Sequence, residues 1–244
     1  MPISVFQNGT AKSEFQWSVF DAVGTLIQPN PSVAAAYHTI AARHGSRLTV
    51  EVVGERFRRA FHQSETESFP NGPAVESPWL SSDSIELARW KWIVGEVVPD
   101  VEDLEQCFHE LWDHFARPSS WKSFDDVNHS LRSLRQAGYR LAIASNFDSR
   151  LHSVCEGLLE LEPIELRFVS SETGFRKPAA EFYETVISQC ECPASKILMI
   201  GDDPKHDVAG PLESGMRAIL IDRRADQTVP GTIRSLSELQ SCKD

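Results

Sequence analysis

Residues 17–26 read Trp-Ser-Val-Phe-Asp-Ala-Val-Gly-Thr-Leu. The apolar run ends on Asp21 and is followed by Gly24-Thr25, so the stretch predicts a buried strand over 17–20 with a carboxylate at its carboxyl end and a tight turn after it. A single strand needs partners, and residues 29–116 supply none. Their apolar spacing predicts helices over 33–44, 50–62, 85–98 and 101–115, interrupted by a Pro/Gly/Ser-rich loop at 69–83 (FPNGPAVESPWLSSD).

After Pro118 the pattern changes to an alternation. Helix 125–137 stops at Gly138, and strand 139–144, helix 149–159, strand 166–169, helix 179–189, strand 196–200, helix 205–214 and strand 217–221 follow. Short apolar strands separated by helices imply a parallel sheet covered on both faces, and the strand at 17–20 must join it. The fold class is therefore α/β: a Rossmann-like, doubly wound core of parallel strands from residues 1–28 and 117–244, with an all-helical insertion at 29–116. The tail from Arg223 reads as a surface loop and a short terminal helix.

Composition narrows the function. The formal charge of −11 would repel a phosphate backbone, so nucleic acid is not an expected partner. No apolar run approaches the roughly 18 residues of a membrane span, and residues 1–18 lack both a basic and an apolar leader segment, so the expected location is cytoplasmic. Cys107, Cys155, Cys190, Cys192 and Cys242 have no zinc-site spacing, and the close pair Cys190/Cys192 reads as two ordinary thiols.

In an open parallel sheet, ligands gather beyond the carboxyl ends of the strands. There the sequence places Asp21, then Ser145 and Asn146, then Lys177-Pro178, then Gly201, Asp202, Asp203 and Asp207. Each alone has an ordinary reading as a turn, a helix cap or a surface charge. Four strand ends that together supply carboxylates, a hydroxyl, an amide and a lysine form the complementary set a catalytic site needs.

The ordered segments FDAVGTL (20–26), IASNFD (143–148), GFRKP (174–178) and IGDDPKHDVAG (200–210) resemble the four motifs of the haloacid dehalogenase-like hydrolase superfamily. The insertion at 29–116 resembles the helical cap of the subfamily that includes haloacid dehalogenases, phosphoglycolate phosphatases and β-phosphoglucomutases. The resemblance implies that Asp21 is a nucleophile forming an aspartyl-phosphate, a recognised covalent use of a carboxylate. It implies Mg²⁺ held by Asp21, the Val23 carbonyl, Asp202, Asp203 and Asp207, with Ser145, the Asn146 N–H and Lys177 binding the transferring group of a small phosphorylated metabolite.

One position departs from the pattern. Phosphatases of the superfamily carry a second Asp two residues after the nucleophile, where it protonates the leaving alcohol and then activates water; here that residue is Val23. Three readings stay open. The leaving group needs no proton, as in an acyl or aryl phosphate, or receives one from water or a cap residue such as His38. The chain is a dehalogenase, whose halide leaves unprotonated, although Asp202-Asp203 would then repel a carboxylate substrate. Or catalysis is lost and the fold serves as a binding or assembly module.

Trp79, Trp90, Trp92, Trp112 and Trp121 concentrate in or beside the insertion and are expected to pack its helices. His206 lies inside the fourth motif, where it is placed to bias the neighbouring carboxylates.

Overall fold

The computed structural model describes residues 15–66, 77–226, 229 and 231–240. Most of the 69–83 loop, the first 14 residues and Cys242 lie outside that set. The strands are β1 (Trp17–Phe20), β2 (Ile27–Pro29), β3 (Trp121–Ser123), β4 (Arg140–Ser145), β5 (Leu166–Val169), β6 (Ile197–Gly201), β7 (Arg217–Ile221) and β8 (Thr232–Ile233). The helices are α1 (Val33–Arg43), α2 (Val50–Thr66), α3 (Asp83–Val97), α4 (Leu104–Ala116), α5 (Val127–Gln136), α6 (Arg150–Glu156), α7 (Ser170–Thr173), α8 (Ala180–Cys190) and α9 (Gly210–Glu213).

Six strands form one parallel sheet in the order β5-β4-β1-β6-β7-β8. The 17–20 strand sits at its centre, flanked by β4 and β6, which is why all four of its residues are buried. Side chains alternate between two apolar layers. Phe20, Leu141, Ile143, Leu198 and Ile200 enter one core with α5 and α6, while Trp17, Val19, Ala142, Ala144 and Met199 enter the other with α8.

The inserted helices α1–α4 share a third core, in which Tyr37, Ile40, Val53, Ile93, Phe108 and Leu111 are buried. Their starts follow capping chemistry. The Ser82 and Asp103 side chains accept from Ile85 N (3.2 Å) and Gln106 N (3.0 Å), so α4 begins at Leu104, three residues after the expected start.

Three local features differ from the sequence expectation. β2 and β3 pair antiparallel, from Ile27 opposite Ser123 to Pro29 opposite Trp121, and tie the two ends of the insertion together. Three-residue strands carry too little periodicity to stand out. The tail contributes β8 and ends in a 3₁₀ turn at Leu236–Gln240 instead of an α-helix. The helix expected over 205–214 is split into a π-helical segment, Pro204–Ala209, and α9. Pro204 and Pro211 cannot donate to a regular helical ladder. π segments often mark functional positions, and this one turns Asp207 inward to 1% exposure.

Candidate active site

The carboxyl ends of β1, β4 and β6 meet above the middle of the sheet, and the inserted helices cover them. Lys177, 2% exposed, is the hub. Its Nζ donates to Asp21 Oδ1 (2.8 Å), Asp207 Oδ1 (2.6 Å) and the Ala144 carbonyl (2.9 Å), so all three ammonium protons have acceptors. Asn146 fixes the backbone below it: Lys177 N donates to Asn146 Oδ1 (2.7 Å) and Asn146 Nδ2 donates to the Lys177 carbonyl (3.0 Å). Ser145, at the end of β4, lines the same cavity.

One carboxylate oxygen from each of Asp21, Asp202 and Asp207 lies within 4.8 Å of the others. Two glycines allow this approach. A β-carbon on Gly24 (φ +93°) would lie 2.3 Å from Asp202 Oδ2, and one on Gly201 would lie 2.2 Å from the Asp207 carboxyl carbon. Thr25 Oγ1 donates to Asp202 Oδ1 (3.3 Å), and Asp203 N donates to Asp207 Oδ2 (3.0 Å).

Asp203 has a different position from the one expected of a metal ligand. Its Oδ1 accepts from Lys205 N and His206 N, both at 2.8 Å, capping the π segment, and its carboxylate is not part of the three-carboxylate cluster. His206 faces Asp203 (3.5 Å) and Glu65 (4.0 Å) and lines the same cavity as Asp21, and burial lowers its pKa. The insertion histidine that lines the cavity is His62; His38 does not line it.

Electrostatics at the cluster are unfavourable by themselves. Burial pushes the Asp21 carboxyl up to about 7; Lys177 opposes that, and Asp207 and Asp202 add to it. Loss of hydration, reinforced by Asp207, pushes Asp202 up to about 6. Burial works against the Lys177 ammonium, yet Asp207 and Asp21 outweigh it and hold its pKa above the ordinary range. Three carboxylates beside one ammonium leave excess negative charge, and oxygen donors at this spacing suit a small hard cation.

The cavity above the cluster has a volume of about 450 Å³ and is closed on the far side by the insertion. A second ionic network, which the sequence reading did not single out, spans the junction. Glu65 of α2 receives both Arg89 of α3 and Arg176, the residue before Lys177, and Arg89 also meets Glu86 at 3.3 Å. The two arginines and Glu86 are each 4% exposed. The 77–81 segment docks beside them, with Arg176 N donating to the Trp79 carbonyl (2.8 Å) and Ser81 N to the Gly174 carbonyl (3.0 Å). The motif segment GFRKP contains Arg176, but a half-buried partner 111 positions away leaves no local sequence signal.

A family profile for haloacid dehalogenase-like hydrolases matches residues 18–215, which include all four strand-end segments and the central strand from its second residue on. The chain belongs to this family. Human haloacid dehalogenase-like hydrolase domain-containing protein 3 is 28% identical over 210 residues, 84% of this chain and 80% of the human one. Ribulose-1,5-bisphosphate 5-phosphatase of Halopiger xanaduensis is 30% identical over 98 residues, 40% of this chain and 41% of its own. Among solved structures, the L-2-haloacid dehalogenase of Xanthobacter autotrophicus with chloropropionic acid covalently bound superposes with a TM-score of 0.70 at 14% identity, over 92% of this chain and 96% of that one. At that identity the likeness shows the fold alone. The family is hydrolytic, and no described helix is long and apolar enough to cross a membrane.

Proposed function

We propose that this family member is a Mg²⁺-dependent phosphatase that acts on a small phosphorylated metabolite through an aspartyl-phosphate on Asp21. The observation that carries the reading is Lys177, whose ammonium joins Asp21 to Asp207 beside Asp202. A dehalogenase binds a carboxylate substrate, and three clustered carboxylates oppose that anion. The likeness to a named phosphatase supports the same choice.

In this reading Asp21, Asp202, Asp207 and the Val23 carbonyl hold the cation, and Asp203 fixes the segment that carries Asp207. Bound there, Mg²⁺ supplies charge neutralisation between nucleophile and phosphate. Lys177 holds Asp21 Oδ1, favours its ionised form against the burial that raises its pKa, and leaves Oδ2 to attack phosphorus. Ser145 and the Asn146 N–H bind phosphoryl oxygens, and Lys177 offsets the charge that spreads over them. Asn146 is also a positioning residue, since it clamps the Lys177 main chain.

The division into a core of 1–28 and 117–244 and a helical cap of 29–116 belongs to this proposal. The separate core of α1–α4 supports it. The cap excludes water during transfer, and its movement admits substrate and releases phosphate. Phosphate release with Mg²⁺ from acetyl phosphate, p-nitrophenyl phosphate and sugar phosphates tests the reading. Turnover that disappears in Asp21→Asn supports it; equal background for both proteins across the panel overturns it in favour of a binding module.

A further inference from the structure

An apolar chamber of about 280 Å³ lies beside the polar cavity, toward the inserted helices. Val23, Phe61, Trp90, Asn146 and Phe147 line both spaces, so the two adjoin, and Val23 lies on their shared boundary. Beyond that boundary the chamber is aromatic, with Tyr37, Phe57, Phe108, Trp112, Phe115 and Trp121 in its wall. Trp90, Trp112 and Trp121 pack against the helices as expected and also line this chamber.

The chamber has one charged residue in its wall, and that charge is already neutralised. Arg150 donates through Nε and Nη2 to the two oxygens of Asp148, both at 2.7 Å, and its guanidinium carbon lies 3.4 Å from the centroid of the Trp112 ring. A polyhydroxylated sugar moved into this space would exchange its hydration for the few polar groups of the wall, the Tyr37 hydroxyl and the Asn146 amide, and each hydroxyl left without a partner would cost about 1–3 kcal/mol. A planar apolar group gains buried area and ring contacts instead.

Two independent features agree at Val23. The wall is apolar, and the side chain beside the departing oxygen cannot give it a proton. A phenol ionises near pH 10, whereas an aliphatic alcohol is closer to water at about 15.7, so an aryloxide leaves without the acid that an alkoxide needs.

We propose that the substrate is an aryl phosphate monoester whose uncharged aromatic leaving group occupies this chamber while its phosphoryl group sits at Asp21. The inference rests on the phosphatase reading above and specifies its substrate class. An oxygen of Asp21 bonds to phosphorus as the P–O(aryl) bond breaks, and the electron pair leaves on the aryloxide, which takes a proton from water. A second water then bonds to phosphorus through its oxygen, giving one proton to the hydroxide left by that transfer, and the P–O(Asp21) bond breaks. Its electron pair returns to the Asp21 carboxylate, giving inorganic phosphate. The net change is ArOPO₃²⁻ plus H₂O to ArOH plus HPO₄²⁻.

Three measurements on the full chain decide it. Steady-state kinetics with Mg²⁺ should give 2-naphthyl phosphate a kcat/KM at least about 100-fold above glycerol phosphate, the low end of what a missing proton donor costs. Calorimetric titration of the Asp21→Asn protein with 2-naphthol should show saturable binding at one site. Val33 lines the chamber from its half-exposed rim. Val33→Phe should therefore lower the naphthyl-to-acetyl phosphate ratio at least about 10-fold, the scale on which a pocket rejects a misfit, and should weaken naphthol binding. Phenyl phosphate, which is smaller, should lose less than the naphthyl ester.

Acetyl phosphate turnover without a naphthyl preference overturns the substrate class and leaves the phosphatase reading standing. Absence of naphthol binding, or a Val33→Phe ratio equal to wild type, likewise overturns it. Failure on every phosphate overturns both.

Discussion

A β-carbon placed on Gly24 would lie 2.3 Å from Oδ2 of Asp202. The turn after the central strand therefore presses its main chain directly against a carboxylate 178 positions later in the chain, and only glycine fits at its φ of +93°. Gly24→Ala should push the Asp202 carboxylate away from Asp21. Displacements of that size cost on the order of 100-fold in rate, so kcat should fall by at least 10-fold while the left-handed backbone costs about 1–2 kcal/mol of stability. Paired kinetics and urea melts would check both; unchanged kcat would separate Asp202 from the reaction.

Lys177→Met removes the cation between Asp21 and Asp207 in a place water scarcely reaches. Breaking a buried pair from one side costs about 3–5 kcal/mol. Denaturant midpoints without metal should show that loss, and Lys177→Met/Asp207→Asn should recover part of it by removing one of the orphaned charges. A double variant less stable than the single one would contradict this account.

Glu65 sets a pH dependence at the junction. Burial alone would raise its carboxyl pKa, but Arg89 and then Arg176 outweigh that and hold it down to about 2, against an ordinary value of 4.5. A carboxylate depressed in the folded state contributes stability that is complete above its unfolded pKa and is lost as pH falls through the folded one. The stability difference between wild type and Glu65→Gln should be about 3 kcal/mol at neutral pH and should shrink as pH falls below about 4.5 toward 2. Urea titrations of both proteins at several pH values would show the convergence; a constant difference would place the effect elsewhere.

Asp126, at the start of α5, ties down the tail. It receives Arg223 through Nη1 (3.0 Å) and Nη2 (3.1 Å), and Ser235 Oγ and Leu236 N, both at 2.7 Å. Asp126→Ala should cost about 2 kcal/mol, in the range for hydrogen bonds to a charged group. Amide exchange should quicken at residues 232–240 before it does in β1 or β4.

Val23→Asp restores a proton donor two residues after Asp21. It should raise kcat/KM on glycerol phosphate about 100-fold or more while changing an aryl phosphate far less. An equal change on both esters would show that leaving-group protonation is not what limits the wild-type protein.

Much of the fold is legible in the sequence. The strand at 17–20, the alternation after Pro118 and the four strand-end segments depend on side-chain periods and turn residues within a few positions of one another. The features that the sequence did not reveal share a cause. β2 and β3 are three residues each and are stabilised by each other across the insertion. Asp203 looked equivalent to Asp202 and Asp207 in sequence, but the capping geometry of the π segment turns its carboxylate onto two backbone N–H groups.

The amino-acid sequence by itself determined the parallel α/β architecture, the helical insertion and the placement of Asp21, Lys177 and the further carboxylates at the strand ends, because apolar periodicity and strand-end position are local properties. Only the tertiary structure decided that Glu65 joins Arg89 to Arg176, which carboxylates converge, and that the aromatic residues around Val23 enclose a cavity. Those outcomes depend on the angle and depth at which α1–α4 pack over the sheet. That packing is set by the sum of many distant contacts, and no short stretch of the chain records it.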